Sequence, residues 1–175
     1  MSGRILSPEK FTYSAASGNF TPAGSPTDVF YIQGVEGKKI HVISVVLSAS
    51  QTTGGQALIN FPKRSSANSG GTAVASTKVP HSSKCPASTA TVQHYTANPT
   101  TGTLVGNVGS VKMYIPAVTE IIQPFIEFNM ELLYGTPIML HAATEAFAVN
   151  LAAATLTGGS LNCTVTWTEE IVDII

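Results

Sequence analysis

The sequence is short of charge. Asp, Glu, Lys and Arg make up 11% of its 175 residues, less than half the roughly one quarter usual in soluble domains. Nine cations stand against ten anions, for a net charge of −1. No basic face of the kind that neutralises nucleic-acid phosphates can be built from so few. Lys38-Lys39 and Lys63-Arg64 are the only adjacent basic pairs. Chains this near neutrality repel their own copies weakly and associate readily. Cysteine is scarcer still. Cys85 and Cys163 are too few for a disulfide framework and are read as reduced thiols, a Cys85–Cys163 bridge being the alternative. No apolar run nears the roughly 18 residues that span a bilayer, which leaves no membrane partner. Met1–Pro8 carries one Arg and no apolar stretch, so it is not read as a secretory signal, and folding in a cytoplasm is expected.

Catalytic motifs are absent too. The chain has no G-x-S-x-G elbow, no P-loop and no G-x-G-x-x-G opening a helix. Gly102-Thr103-Leu104-Val105-Gly106 lacks the Lys and the following helix of a phosphate cradle and reads as a turn. His41, His81, His94 and His141 show no metal-ligand spacing. Glu127 and Glu131 share a face of an expected strand at about 13 Å, too far apart for a retaining glycosidase pair. Asp28 and Glu36 flank turns. Cys85 follows Lys84, but a lone loop thiol makes no nucleophile. The expectation is a protein that is not an enzyme, with no catalytic residue, metal or cofactor.

Hydroxyls take the place of charge. Ser and Thr supply about a fifth of the chain; Thr favours strands, and Ser with Gly favours turns. Met1–Thr27, punctuated by Pro8, Gly18, Pro22, Gly24 and Pro26, is expected to be an extended arm, and residues 28–175 a single β-sandwich domain. Val29–Ile32 reads as a short strand. Lys39–Ser48 is apolar on both faces, as in a covered central strand. Gln56–Phe61 reads as its hairpin partner across Thr52-Thr53-Gly54-Gly55. Pro62–Pro86 is a long insertion of loop chemistry, of a length that is more often functional than filler. Ala90–Tyr95 and Val111–Ile115 follow as strands, the latter halted by Pro116 as at a sheet edge. Phe125–Glu131 alternates, and Pro137–His141 is a further strand. Between His141 and Leu156 the alanines invite a helix, but Phe147, Val149 and Leu151 alternate with smaller neighbours, so strand is preferred; Thr157–Ser160 then reads as a hairpin turn. The last strand is the clearest: Leu161, Cys163, Val165 and Trp167 face inward and Asn162, Thr164, Thr166 and Thr168 outward. An acidic, apolar tail, Glu169–Ile175, closes the chain. Eight or nine strands imply an all-β, two-sheet antiparallel sandwich, jelly-roll-like.

The large arm residues Phe11, Tyr13 and Phe20 are expected to pin the arm either to its own domain or to another subunit, and further contacts with partners are expected from the insertion, through Lys63, Arg64 and Lys84. Trp167 belongs to the core, and Tyr31, Tyr95 and Tyr114 are contact candidates.

Three segments carry a resemblance: Phe61-Pro62-Lys63-Arg64-Ser65-Ser66-Ala67-Asn68-Ser69-Gly70-Gly71-Thr72, Tyr95-Thr96-Ala97-Asn98-Pro99-Thr100-Thr101-Gly102, and the run from Thr157 to Glu170. From about Phe30 to Glu170 the chain resembles the small β-sandwich structural proteins of tailed-bacteriophage virions. The resemblance implies a virion component, often a capsid decoration (cement) protein. Its partner would be the major capsid protein, its place the capsid surface after assembly in the host bacterial cytoplasm. Three-fold positions on an icosahedral lattice invite a homotrimer. The other function the same sandwich could serve is a tail, fibre or head-surface module that holds host glycan.

Overall fold

The computed structural model describes residues 10–121 and 124–171. In chain order the elements are β1 (Lys10–Ala16), β2 (Asp28–Gln33), β3 (Lys38–Ser50), β4 (Gly55–Arg64), β5 (Thr72–Ala75), β6 (Lys78–Pro80), β7 (Thr91–Ala97), β8 (Leu104–Ile115), β9 (Phe125–Asn129), α1 (Met130–Tyr134), β10 (Ile138–Leu140), β11 (Ala146–Asn150) and β12 (Ser160–Ile171). They form two antiparallel six-stranded sheets. One has the order β10-β3-β12-β1-β6, with β9 pairing β3 on the same side as β10; the other has the order β5-β7-β2-β11-β4-β8. The molecule is the expected all-β, two-sheet sandwich.

Alternation creates the two layers. On β12, Leu161, Cys163, Val165 and Trp167 are buried, while Asn162, Thr164, Thr166 and Thr168 are half-exposed. On β4, Ala57, Ile59 and Phe61 point inward. Side chains two apart share a face, so each strand presents one apolar row to the opposite sheet. Phe61 of one sheet stacks on Phe128 of the other, centroids 4.1 Å apart, and lies 6.4 Å from Phe147. Trp167 stacks on Tyr13 at 5.7 Å.

The chain switches repeatedly between the two sheets. β1, β3, β9 and β12 form one layer, and β2, β4, β8 and β11 the other. The orders β1-β12-β3-β9 and β2-β11-β4-β8 are those of a jelly roll. Two expected hairpins are therefore corrected. β3 and β4 lie in different sheets, as do β11 and β12; Thr52–Gly54 and Thr157–Gly159 are corners between layers, because apolar rows on consecutive strands close the core only when they face each other.

The insertion is not a loop throughout. β5 pairs with β7, and β6 with β1, so Thr72–Pro80 adds one strand to each sheet on the same side. The expected arm boundary at residue 28 is corrected as well. Lys10–Ala16 is a full strand of the sandwich, seven residues in register with Ala16–Lys10 partners Thr164–Glu170 of β12; the Pro and Gly residues that interrupt the segment fall outside these seven. The first nine residues of the expected arm and the last four of the tail lie outside the described residues. The alternation from Phe125 stops at Asn129, whose side chain accepts from the Leu132 N–H and starts α1. Glu131 is thus on a helix and not on a strand face with Glu127. The strand preferred over helix beyond His141 is β11.

Candidate interaction surface

Three carboxylates are buried among the described residues, and the fold uses two of them, Asp28 and Glu169, as rivets. Asp28 has no exposed surface. Its Oδ2 accepts from Arg64 Nε at 2.6 Å and Asn68 Nδ2 at 2.9 Å; its Oδ1 accepts from Arg64 Nη2 at 2.6 Å and Asn150 Nδ2 at 2.8 Å. Arg64 Nη1 donates to the Gly102 carbonyl at 2.8 Å, and Asn68 Oδ1 accepts from the Gly102 N–H at 2.8 Å. The fork of Arg64 and the amides of Asn68 and Asn150 fill both Asp28 oxygens. The group ties β2, β4, β11 and the loops at 65–71 and 98–103 together on the outer face of the second sheet. Asn68 N–H also donates to Tyr31 Oη at 3.2 Å, and burial pushes the Tyr31 phenol up to about 12.

Glu169 is the second rivet. Its carboxylate accepts from Lys38 Nζ at 3.0 Å, Thr89 Oγ1 at 3.1 Å, Ala90 N–H at 3.3 Å and Trp167 Nε1 at 3.3 Å, and from Ser88 Oγ. Burial alone would raise its pKa, but these donors outweigh it and hold the group at about 2. Beside it on the outer face, Glu170 meets His41 at 3.2 Å, Lys10 at 3.6 Å and Lys39 at 4.0 Å. Burial, then Lys10, lowers the His41 pKa against the pull of Glu170. His94 is lowered by burial alone, under the Phe20 ring at 4.4 Å. Among the described residues no three His, Cys, Asp or Glu side chains are grouped to hold a metal ion.

The six expected contact residues fare differently. Tyr13 and Phe20 are buried in their own sandwich, and Tyr13 Oη donates to the Pro86 carbonyl at 2.9 Å. Phe11 packs half-buried against the same core. Arg64 is held by Asp28. Tyr13, Phe20 and Phe11 turn to the core because β1 and Phe20 complete the first sheet, whereas Arg64 is spent on Asp28 at the outer face of the second. Lys63 pairs with Glu145 at 3.2 Å and donates to the Met139 carbonyl at 3.0 Å, joining β4 to β10. Lys84 is exposed, at the rim of a cavity of about 300 Å³ shared with Lys10, Phe11, His81 and Cys85. The structure brings none of the other five candidates together at that cavity except Phe11. Of the three tyrosines, Tyr31 and Tyr95 are buried and Tyr114 is exposed.

The exposed apolar surface lies elsewhere. Of the thirteen exposed large apolar residues among those described, ten fall between Leu104 and Met139. That stretch of chain forms one flank of the sandwich, where edge strand β8 of the second sheet meets β9, α1 and β10 of the first. Leu104, Val105, Phe125, Leu132, Leu133 and Tyr134 are 51% to 83% exposed. β8 touches α1 and β9 along this flank: Tyr134 Oη donates to the Val108 carbonyl of β8 at 3.0 Å, and the Gly109 backbone passes so close to Phe128 that a Cβ there would stand 2.5 Å from the ring. The sequence signal for it was present in Leu132-Leu133-Tyr134, an apolar triplet that no strand alternation explains. A second surface of different character covers the outer face of the first sheet. Thr12, Ser14, Ser48, Thr164 and Thr166 stand there half-exposed on β1, β12 and β3, a row of hydroxyls bordered at one end by the Lys10, Lys39, His41 and Glu170 cluster.

No family model, curated protein or solved structure matches this chain.

Proposed function

We propose that this chain is a structural protein of a phage particle, a decoration protein that seats as a trimer on the assembled head. One observation carries the reading: large apolar side chains concentrate on a single flank and are left open to water. Scattered exposed apolar residues are ordinary, whereas a contiguous patch marks an interaction site. The hydroxyl face and the low net charge support the same conclusion, since both suit lasting contact with neighbours. So does the resemblance of the three sequence segments to virion β-sandwich proteins. The buried carboxylates support it from another side, being saturated by hydrogen bonds that fix loops. The mechanism is linkage: a protein that binds the assembled shell and not its free subunits stabilises the shell by mass action.

The test is reconstitution. Heads assembled without this product are mixed with the purified protein, and occupancy is read by sedimentation and imaging. Saturable occupancy with a raised temperature of head disruption is the expected result. Failure to bind heads, together with saturable binding on a glycan array, would replace this reading with that of a glycan-holding module.

A further inference from the structure

We infer that the apolar flank is a self-interface: β8 of one copy packs against β9 and α1 of the next, closing a ring of three. The inference deepens the proposed function by naming the surface through which the copies meet.

The two sides of the sandwich are finished differently. On one side the sheets end in β5 and β6, four and three residues long, and β6 ends at Pro80. Short edges and prolines are the usual protection against strand pairing. On the other side β8 runs for twelve residues without proline and pairs only with β4 among the described residues. Two bulges interrupt its ladder with β4 and the first sheet ends beside it in the short β9 and β10, but the edge is long and its neighbours are open and apolar.

Charge identifies the occupant. Leu104–Ile115 carries one charged side chain, Lys112; Phe125–Tyr134 carries two, Glu127 and Glu131. None of the three has an ion-pair partner among the described residues. Lys112 lies opposite Leu58 on the outer side of the second sheet, and Glu127 opposite Val46 on the outer side of the first. Within one chain these two outer faces point away from each other. In a head-to-tail ring with this flank toward the axis, the β8 face of one copy meets the β9–α1 face of its neighbour, and the opposite charges meet with it. Such a heterologous contact closes by rotation. In each such contact the β8 face brings Leu104 and Val105 and the β9–α1 face brings Phe125, Leu132, Leu133 and Tyr134; at about 100 Å² each these open apolar side chains cover about 600 Å² in all, the apolar centre of an interface whose usual total is roughly 1,600 Å². A net charge of −1 adds little repulsion between copies.

The experiment measures mass by light scattering and sedimentation on the full chain, with circular dichroism and thermal melting as the check on folding. Wild type is expected at three times the 18.2 kDa chain mass. Leu132→Glu with Leu133→Glu changes exposed positions only and is expected to leave the fold intact and weaken association at least 100-fold. Lys112→Glu is expected to weaken it about 5-fold or more, and adding Glu127→Lys in the same chain to restore it. A wild-type monomer at tens of micromolar, a dimer, or a trimer unmoved by the double Leu change overturns the inference. A folded monomer that still decorates heads refutes this interface alone; a trimer that ignores heads refutes the proposed function alone.

Discussion

Removing one member of the Asp28–Arg64 pair should be among the most damaging single changes available outside the apolar core. Asp28 is fully buried and Arg64 is 5% exposed, and the fork joins them by two bonds of 2.6 Å. In Arg64→Met the carboxylate keeps the Asn68 and Asn150 amides but loses its counter-charge in a site with no access to water. Breaking a buried pair from one side costs about 3–5 kcal/mol. A domain of this size loses about 2–4 °C of Tm per kcal/mol, so the expected drop is about 6–20 °C. Asp28→Leu should cost a similar amount, since it strands the guanidinium, leaving it only the Gly102 carbonyl. The double change Asp28→Leu with Arg64→Met leaves no buried charge and should cost clearly less than the sum of the two. Urea denaturation followed by circular dichroism reads all four chains, with the slope required to stay constant so that the midpoint reports stability. Arg64→Lys is a further control: an ammonium has no planar fork to match both oxygens and should recover only part of the loss. Additive single losses, or a loss below about 1 kcal/mol for Arg64→Met, would refute the assignment of this pair as a rivet.

Glu169 should make the fold acid-sensitive. Its carboxyl lies at about 2 in the fold against an ordinary 4.5, so the unfolded chain takes up a proton first as pH falls. The stabilisation is complete above pH 4.5 and is lost between there and pH 2; Glu169→Gln should flatten this part of a stability–pH curve, and an unchanged slope would count against it. Gly109→Ala should destabilise by about 1–3 kcal/mol, because the added methyl must displace the Phe128 ring from its stack on Phe61; Phe128→Leu in the same chain should recover part of the loss in a thermal melt. The thiols should react in two classes. Both cysteines are free, Cys85 half-buried and Cys163 buried, and burial pushes the Cys163 thiol well up. A thiol reagent should modify Cys85 in the native protein and Cys163 only with urea, and rapid native labelling of both would contradict the packing of β12.

Much of the architecture is legible locally. Leu161, Cys163, Val165 and Trp167 announce the buried face of β12, and Ala57, Ile59 and Phe61 that of β4, because a two-residue period needs no knowledge of the rest of the chain. The same period favours strand over helix at Phe147–Val149, which is β11. Local signals failed where the outcome depended on a distant partner. The proline- and glycine-rich surroundings of β1 suggest an arm; it is a strand because β12, some 150 residues away in sequence, offers it an edge. The corners after β3 and β11 carry turn chemistry that suits a hairpin equally well, and only the second layer distinguishes the two. Arg64 read as half of an exposed basic pair, since nothing near it in sequence shows that Asp28 waits opposite. Phe20 and Tyr13 had two destinations, their own core or a neighbour, and sequence could not choose between them.

By itself, then, the order of residues determined that the chain makes strands, which row of each strand avoids water, and that little charge is left over for chemistry. Only the folded molecule decided which strands adjoin, that Asp28 and Glu169 are consumed as internal rivets, and that Leu104, Leu132 and Tyr134 share one open flank. The physical reason is range. Alternation acts between residues two apart, whereas strand pairing, buried ion pairs and surface patches join residues tens to hundreds of positions apart, and are selected by the mutual fit of whole layers.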